Sequence, residues 1–154
     1  MESTKTRILK KLLETDGYLS GQDLCEQLGV SRTAVWKYMK QLKEEGYEIE
    51  AVQNKGYCLK DVPDVLGESE IKSRLHTRWA GQTLYYYDEI DSTNTQIKRL
   101  AEEDAPHGTL AVADYQSKGK GRRGHAWDSP HGSAIYMSIL FRPDIRPDRA
   151  SMLT

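Results

Sequence analysis

Residues 117–132 read SKGKGRRGHAWDSPHG, and positions 117 to 124 alone hold Lys118, Lys120, Arg122 and Arg123 beside Gly119, Gly121 and Gly124. The Gly119-x-Gly121-x-x-Gly124 spacing is that of a dinucleotide-binding turn, which needs a strand before it and a helix directly after it to face a pyrophosphate. Leu110-Ala111-Val112-Ala113 supplies the strand. His125 to Gly132 supplies no helix, because Pro130 lacks an N–H and Gly132 is a poor helix former. The doubly wound dinucleotide fold is therefore rejected. What remains is a flexible cationic loop at the end of a buried strand. Its glycines admit a ligand close to the backbone, and its Arg and Lys side chains supply donors for phosphate or carboxylate. A merely solvated basic loop would account for the charge but not for the glycines, nor for Trp127 closing the segment.

Outward from this loop, Thr109 to Tyr115 and Ala134 to Phe141 read as strands, Leu84 to Tyr87 as another, and Thr93 to Glu102 as a helix with Ile97, Leu100 and Ala101 inward. The order is helix, strand, helix, strand, loop, strand, a mixed α and β arrangement. Thr93 with Gln96 fits a capping box, which offers a structural role for Asp91-Ser92-Thr93-Asn94 beside any binding role at a helix N-terminus. His76, His107, His125 and His131 show no ligand spacing and are expected at the surface. No metal site is expected from side-chain spacing.

The first sixty residues follow a different pattern. Ile8, Leu9, Leu12 and Leu13 recur at helical spacing after Ser3 and Thr4, and Asp16-Gly17 turns. Ser20 caps a second helix with Leu24, Cys25 and Leu28 on one face, and Gly29 ends it. Ser31 caps a third, in which Val35, Met39 and Leu42 face inward. Two short helices joined by Gly29-Val30-Ser31 are a helix-turn-helix pattern. Tyr47 to Val52 alternates, Asn54-Lys55-Gly56 turns and Tyr57-Cys58-Leu59 returns, which predicts a wing. Residues 31 to 43 carry Arg32, Lys37, Lys40 and Lys43 and no acid. The outward face of helix three thus holds Ser31, Arg32, Thr33, Trp36, Lys37 and Lys40, suited to phosphates and base edges in a major groove. A charged helix face used for protein contact is the plainer alternative. A dimer on a two-fold operator is the expected mode of DNA binding.

At 154 residues, with 38% hydrophobic and 29% charged side chains, the composition is that of a folded protein, not a fibrous or disordered one. No apolar run is long enough to span a membrane and the N-terminus lacks the apolar core of a signal peptide, so a cytoplasmic location without membrane association is expected. Cys25 and Cys58 lie far apart without metal or redox spacing and read as small core residues.

Asp91-Ser92-Thr93-Asn94, Gln116 at a strand end and Gly119-Lys120-Gly121-Arg122-Arg123-Gly124-x-x-Trp127 together resemble the biotin protein ligases. With the N-terminal helix-turn-helix, the chain resembles the bifunctional members that also repress biotin genes. The fold implied is α+β: a winged helix-turn-helix over 1–61, a linker over 62–69, and over 70–154 the first part of a mixed α/β biotin-ligase catalytic domain, similar to class II aminoacyl-tRNA synthetases. The activity implied is ATP-dependent formation of biotinyl-5′-AMP and transfer of biotin to a lysine of a biotin carboxyl carrier protein, joined to biotin-responsive repression. Biotin, ATP and Mg2+ are the implied cofactors, and operator DNA and a second copy of the liganded chain the other partners.

By the same resemblance, Ser92, Thr93, Asn94 and Gln116 contact biotin, and Gly119 to Gly124 fold over biotin and its adenylate, with Lys120, Arg122 and Arg123 on the phosphate. Trp127 packs nearby. Lys120 and His125 stand where many members have arginine; lysine keeps the charge without the planar fork, and neutral histidine keeps neither. Pro147 to Thr154 reads as a helix just beginning, and the Lys-Trp-Pro-Asn-Asp segment of the family is absent, so a portion of a longer protein is expected. Two further readings stay open: a repressor with a biotin-sensing domain that does not catalyse, and a lipoate ligase-like acyltransferase.

Overall fold

The computed structural model describes residues 3–146 and 148–149. Contacts divide the chain into two units, between Leu75 and His76.

The first unit packs α1 (Thr4–Glu14), α2 (Gly21–Leu28) and α3 (Arg32–Glu44) around Ile8, Leu9, Leu12, Leu24, Val35, Met39 and Leu42. Each helix starts at a serine whose Oγ accepts backbone N–H groups left free by the first turn: Ser3 from Thr6, Ser20 from Gln22 and Asp23, Ser31 from Ala34. Gly29 closes α2 in the left-handed region at φ 66°, which frees the chain to turn at once into α3. Truncating a fully buried Leu24 to alanine in such a core costs about 2–5 kcal/mol.

Strands β1 (Glu48–Val52) and β2 (Gly56–Asp61) pair antiparallel, and Leu19 bridges to Tyr57 as a third strand position. Gly56 is obligatory there: φ is 110°, and a Cβ would lie 2.1 Å from the Leu19 carbonyl oxygen. Helix α4 (Glu68–Arg74) packs on α1, and Tyr47 Oη donates to Glu70 Oε2 at 2.6 Å. Burial, then the Glu70 carboxylate, raises the Tyr47 hydroxyl well above its ordinary range. The expected division near residue 62 thus lies later in the contact pattern, because a helix placed by sequence with the second unit packs against the first.

In the second unit β3 (Leu84–Ile90) and β4 (Leu110–Gln116) run parallel, joined by α5 (Thr93–Glu102), and β7 (Tyr136–Ile139) adds antiparallel to β4. Ile97 and Leu100 of α5 close on Ala105 and Ala111. The helix matches its expected bounds; the final strand is shorter than the expected 134–141 span.

Residues 117–127 depart from expectation. Instead of an irregular loop they form a hairpin, β5 (Gly119–Lys120) against β6 (Ala126–Trp127), with a 3-10 turn at Arg122–Gly124 and Arg123 at φ 57°. Main-chain hydrogen bonds that periodicity cannot reveal make the difference: Gly121 N–H donates to the His125 carbonyl at 2.8 Å, and Lys118 N–H to that of Asp91 at 2.8 Å. The expected helix start at 147–154 falls largely outside the described residues. No helix among those described is long and apolar enough to cross a membrane.

Candidate functional site

Each unit gathers its own set of sequence-singled residues. In the first, Arg32, Thr33, Trp36, Lys37 and Lys40 are all exposed along α3 while Val35, Met39 and Leu42 are buried. Trp36 is 59% exposed, and Lys40 Nζ stands over its ring, 6.0 Å from the centroid. Ser31 belongs to the cap, its Oγ held by Ala34 N–H at 3.2 Å. Arg32 donates to Gln22 Oε1 at 2.6 Å, and Gln22 Nε2 donates to Glu26 Oε1 at 2.7 Å, so α2 orients the first cation of α3. A groove of about 430 Å³ runs between Arg32 and the wing residues Gln53, Asn54 and Lys55. Against the wing, Tyr18 from the segment before α2 donates its Oη–H to Glu50, Lys60 pairs with the same carboxylate at 3.0 Å, and both Lys55 and Lys60 lie over the Tyr18 ring. The Tyr18 hydroxyl, then Lys60, hold the Glu50 carboxyl below the usual range.

In the second unit, parallel β3 and β4 end beside the N-terminus of α5, the end of such a sheet at which ligands bind. The cavity there, about 530 Å³, is lined by Ser92, Thr93, Asn94, Gln116, Lys120, Gly121, Arg122 and Trp127, with Tyr136 and Met137 from β7 and Ile135 just before it. Eight residues singled out by sequence therefore converge. Gly119 and Arg123 do not line it, and Arg123 is exposed on the 3-10 turn.

The capping-box expectation fails here. Ser92, not Thr93, is the N-cap residue, and its side chain makes no capping bond. Thr93 donates instead to Gln116 Oε1, through its backbone N–H at 2.8 Å and its Oγ1 at 3.1 Å. Tertiary contact has displaced the local cap, and it leaves Ser92 Oγ buried without a hydrogen-bond partner, the one such side-chain atom among the described residues. A buried hydroxyl of this kind is costly unless something completes it.

Behind these residues stand partners that periodicity did not single out. Arg99 forks onto Asp91, Nη1 to Oδ1 at 3.1 Å and Nη2 to Oδ2 at 2.7 Å, and Asp91 Oδ1 also accepts the Ser92 N–H at 2.7 Å. The Arg99 guanidinium, then the Ser92 N–H, hold the Asp91 carboxyl below its usual range. Ser138 Oγ lies 3.0 Å from Thr93 Oγ1 and 2.9 Å from Asn94 Oδ1. Ser129, 1% exposed, accepts from Gln116 Nε2 at 3.0 Å. The signals for these were thin: a serine on the helix-facing side of β7, and a serine before a proline in a loop. His131 and His107 are exposed, as expected, and each meets a neighbour, His131 Nδ1 standing 2.8 Å from Asp114 Oδ2 and His107 Nδ1 accepting the Arg142 N–H at 3.0 Å.

Chemically, the cavity offers uncharged hydrogen-bonding groups on one side, cations on the other and apolar walls at Trp127, Ile135 and Met137. It suits a ligand with a polar head, an apolar body and an anionic group. Among the described residues no three His, Cys, Asp or Glu side chains converge to hold a metal ion.

Comparison with known proteins divides the chain in the same way. Residues 4–58 match the family described as HTH domain, and residues 86–154 match the biotin/lipoate A/B protein ligase family. The chain is similar to the bifunctional ligase/repressor BirA of Bacillus spizizenii, 46% identical across 100% of this chain and 48% of that protein. The protein of the same name from Escherichia coli is 34% identical across 90% of this chain and 42% of its own length. Among solved structures, a biotin protein ligase from Aquifex aeolicus in complex with biotin and ATP is 40% identical over 39% of this chain and 24% of its own, with a TM-score of 0.33. The chain spans about half the length of the curated relatives it matches.

Proposed function

We propose a function from one premise: along its whole length the chain is homologous to the bifunctional ligase/repressors, a helix-turn-helix domain followed by a segment of the biotin/lipoate A/B protein ligase family. The protein of which this chain is all or part activates biotin with ATP, transfers it to a lysine of a biotin carboxyl carrier protein, and represses transcription by binding operator DNA, as a dimer when liganded. The observation that carries the ligand reading is the unpartnered, buried Ser92 Oγ beside Thr93 and Gln116 in the cavity.

In this reading, Ser92, Thr93, Asn94 and Gln116 hold the polar ring system of biotin, Trp127, Ile135 and Met137 flank its apolar part, and the glycines of the hairpin let backbone amides approach. Lys120 and Arg122 face the anionic end from the cavity wall, and Arg123 joins them from the turn. A carboxylate oxygen of biotin attacks the α-phosphorus of ATP, the bond to the bridging oxygen breaks and pyrophosphate leaves. A carrier lysine amine then attacks the acyl carbon, AMP departs with the electron pair of the broken C–O bond, and the amine releases a proton. These residues act by positioning and by charge stabilisation.

The exposed cationic face of α3 and the wing lysines bind the operator, phosphates by Lys37 and Lys40, base edges by Arg32, Thr33 and Trp36. The test is biotin-dependent exchange of labelled pyrophosphate into ATP, beside lipoate and beside operator titration with and without biotin. Exchange with biotin alone supports the ligase; exchange with lipoate moves the site to the related acyltransferases. Biotin-dependent operator binding without exchange leaves a repressor with a non-catalytic sensor.

A further inference from the structure

The Gln116 amide is oriented without ambiguity. Its Oε1 faces a group that can only donate, the Thr93 backbone N–H at 2.8 Å, so Nε2 must face the other way. There it meets Ser129 Oγ at 3.0 Å, which accepts, while the Ser129 hydroxyl proton points to the Trp127 carbonyl at 3.4 Å. The main chain doubles the link, Gln116 N–H donating to the Ser129 carbonyl at 3.2 Å. Gly119 sits in the same crowd: a Cβ there would lie 2.5 Å from the Trp127 oxygen and 2.8 Å from Ser129 Oγ. One buried serine thus stands between the helix N-terminus that lines the cavity and the return strand of the cationic hairpin.

We propose that Ser129 is a positioning residue that couples occupancy of the cavity to the order of the 119–127 hairpin, acting through the Gln116 amide. It touches no ligand in this account, since it does not line the cavity. A molecule held by Ser92, Thr93 and Gln116 fixes the Gln116 side chain; Gln116 then fixes Ser129, and Ser129 fixes the strand that carries Trp127 opposite Gly119 and Lys120. Local order of a segment driven by a distant contact needs such a bridging element with matched donors and acceptors. The inference rests on the reading of the cavity as a biotin site.

The experiment is biotin titration together with amide hydrogen exchange on the whole chain, for the protein, Ser129→Ala and Ser129→Cys. The cysteine keeps the shape of serine but accepts hydrogen bonds weakly, so it guards against an alanine variant that fails to fold. In the unaltered protein, biotin is expected to slow exchange both at 93–96 and at 119–127. In the variants, affinity is expected to fall about tenfold, the loss of one hydrogen bond. Saturating biotin should still protect 93–96 but no longer protect 119–127. A general structural lesion would lose both together. Hairpin protection in the cysteine variant equal to that of the unaltered protein overturns the proposal while leaving the biotin site intact. Failure of the unaltered protein to bind biotin overturns the site and the proposal with it.

Discussion

Gln116, at the end of β4, accepts the backbone N–H of Thr93, the first residue of α5, at 2.8 Å, across 23 residues of sequence. A side chain from one strand therefore does for the helix what a local cap does elsewhere. Gln116→Leu leaves the Thr93 N–H without its acceptor and Ser129 Oγ without its donor, and stability is expected to fall by about 1–3 kcal/mol. A urea melt measures this, and biotin titration should show at least a comparable loss of affinity. A variant as stable as the unaltered protein would mean that the amide is not the anchor of α5.

Gly119→Ala tests close approach without backbone strain, since Gly119 has no positive φ. The added Cβ meets backbone and a buried hydroxyl, which cannot rotate away. Overpacking of this kind costs about 1–3 kcal/mol. The pairing of Lys120 with Ala126 is expected to open, read as faster amide exchange there.

Arg122 is exposed and lines the cavity. Arg122→Ala is expected to speed dissociation of biotinyl-AMP about tenfold or more, as a charge-assisted contact would require, with stability within about 0.5 kcal/mol of the unaltered protein. An unchanged dissociation rate would remove Arg122 from the phosphate.

On α3 the roles separate by salt. Lys37→Ala is expected to reduce the slope of log affinity against log salt by about 0.9, one phosphate contact on duplex DNA. Gln22→Ala should leave that slope alone, because glutamine carries no charge, yet broaden the sequences selected from random duplexes by freeing Arg32. Equal selectivity with and without Gln22 would show that the bond to Arg32 is incidental.

The Asp91 carboxyl is held down by Arg99 and the Ser92 N–H. Because its folded value lies below its unfolded one, the stabilisation is complete above the ordinary carboxylate range and disappears as pH falls through the depressed value. Arg99→Gln is expected to raise the Asp91 titration midpoint, followed by carboxyl NMR, and to flatten the acid limb of the stability curve. The pair is partly exposed, so the gain at neutral pH is small.

The first unit was legible almost residue by residue. Its signals are local: a serine cap, an apolar stripe at helical spacing, a left-handed glycine, each acting within a few residues of itself. Ser20, Gly29, Ser31, Val35, Met39 and Leu42 are where their spacing put them. In the second unit the order of elements outside 117–127 was legible, and eight of the residues that line the cavity were singled out through resemblance to a family and not through periodicity.

Long-range hydrogen bonding decided the rest. Thr93 and Gln96 satisfy the local rule for a capping box, but a partly buried Gln116 amide offers the Thr93 N–H a better placed acceptor, and local propensity yields when a tertiary partner is available. The glycines of 117–132 permit many backbone paths, so nothing in their spacing selects a hairpin; pairing between Gly119 and Trp127, backed by Ser129, does. Helix α4 was visible as a helix, but its allegiance to the first unit depends on α1 and on Tyr47 meeting Glu70, contacts between residues that no short window contains together.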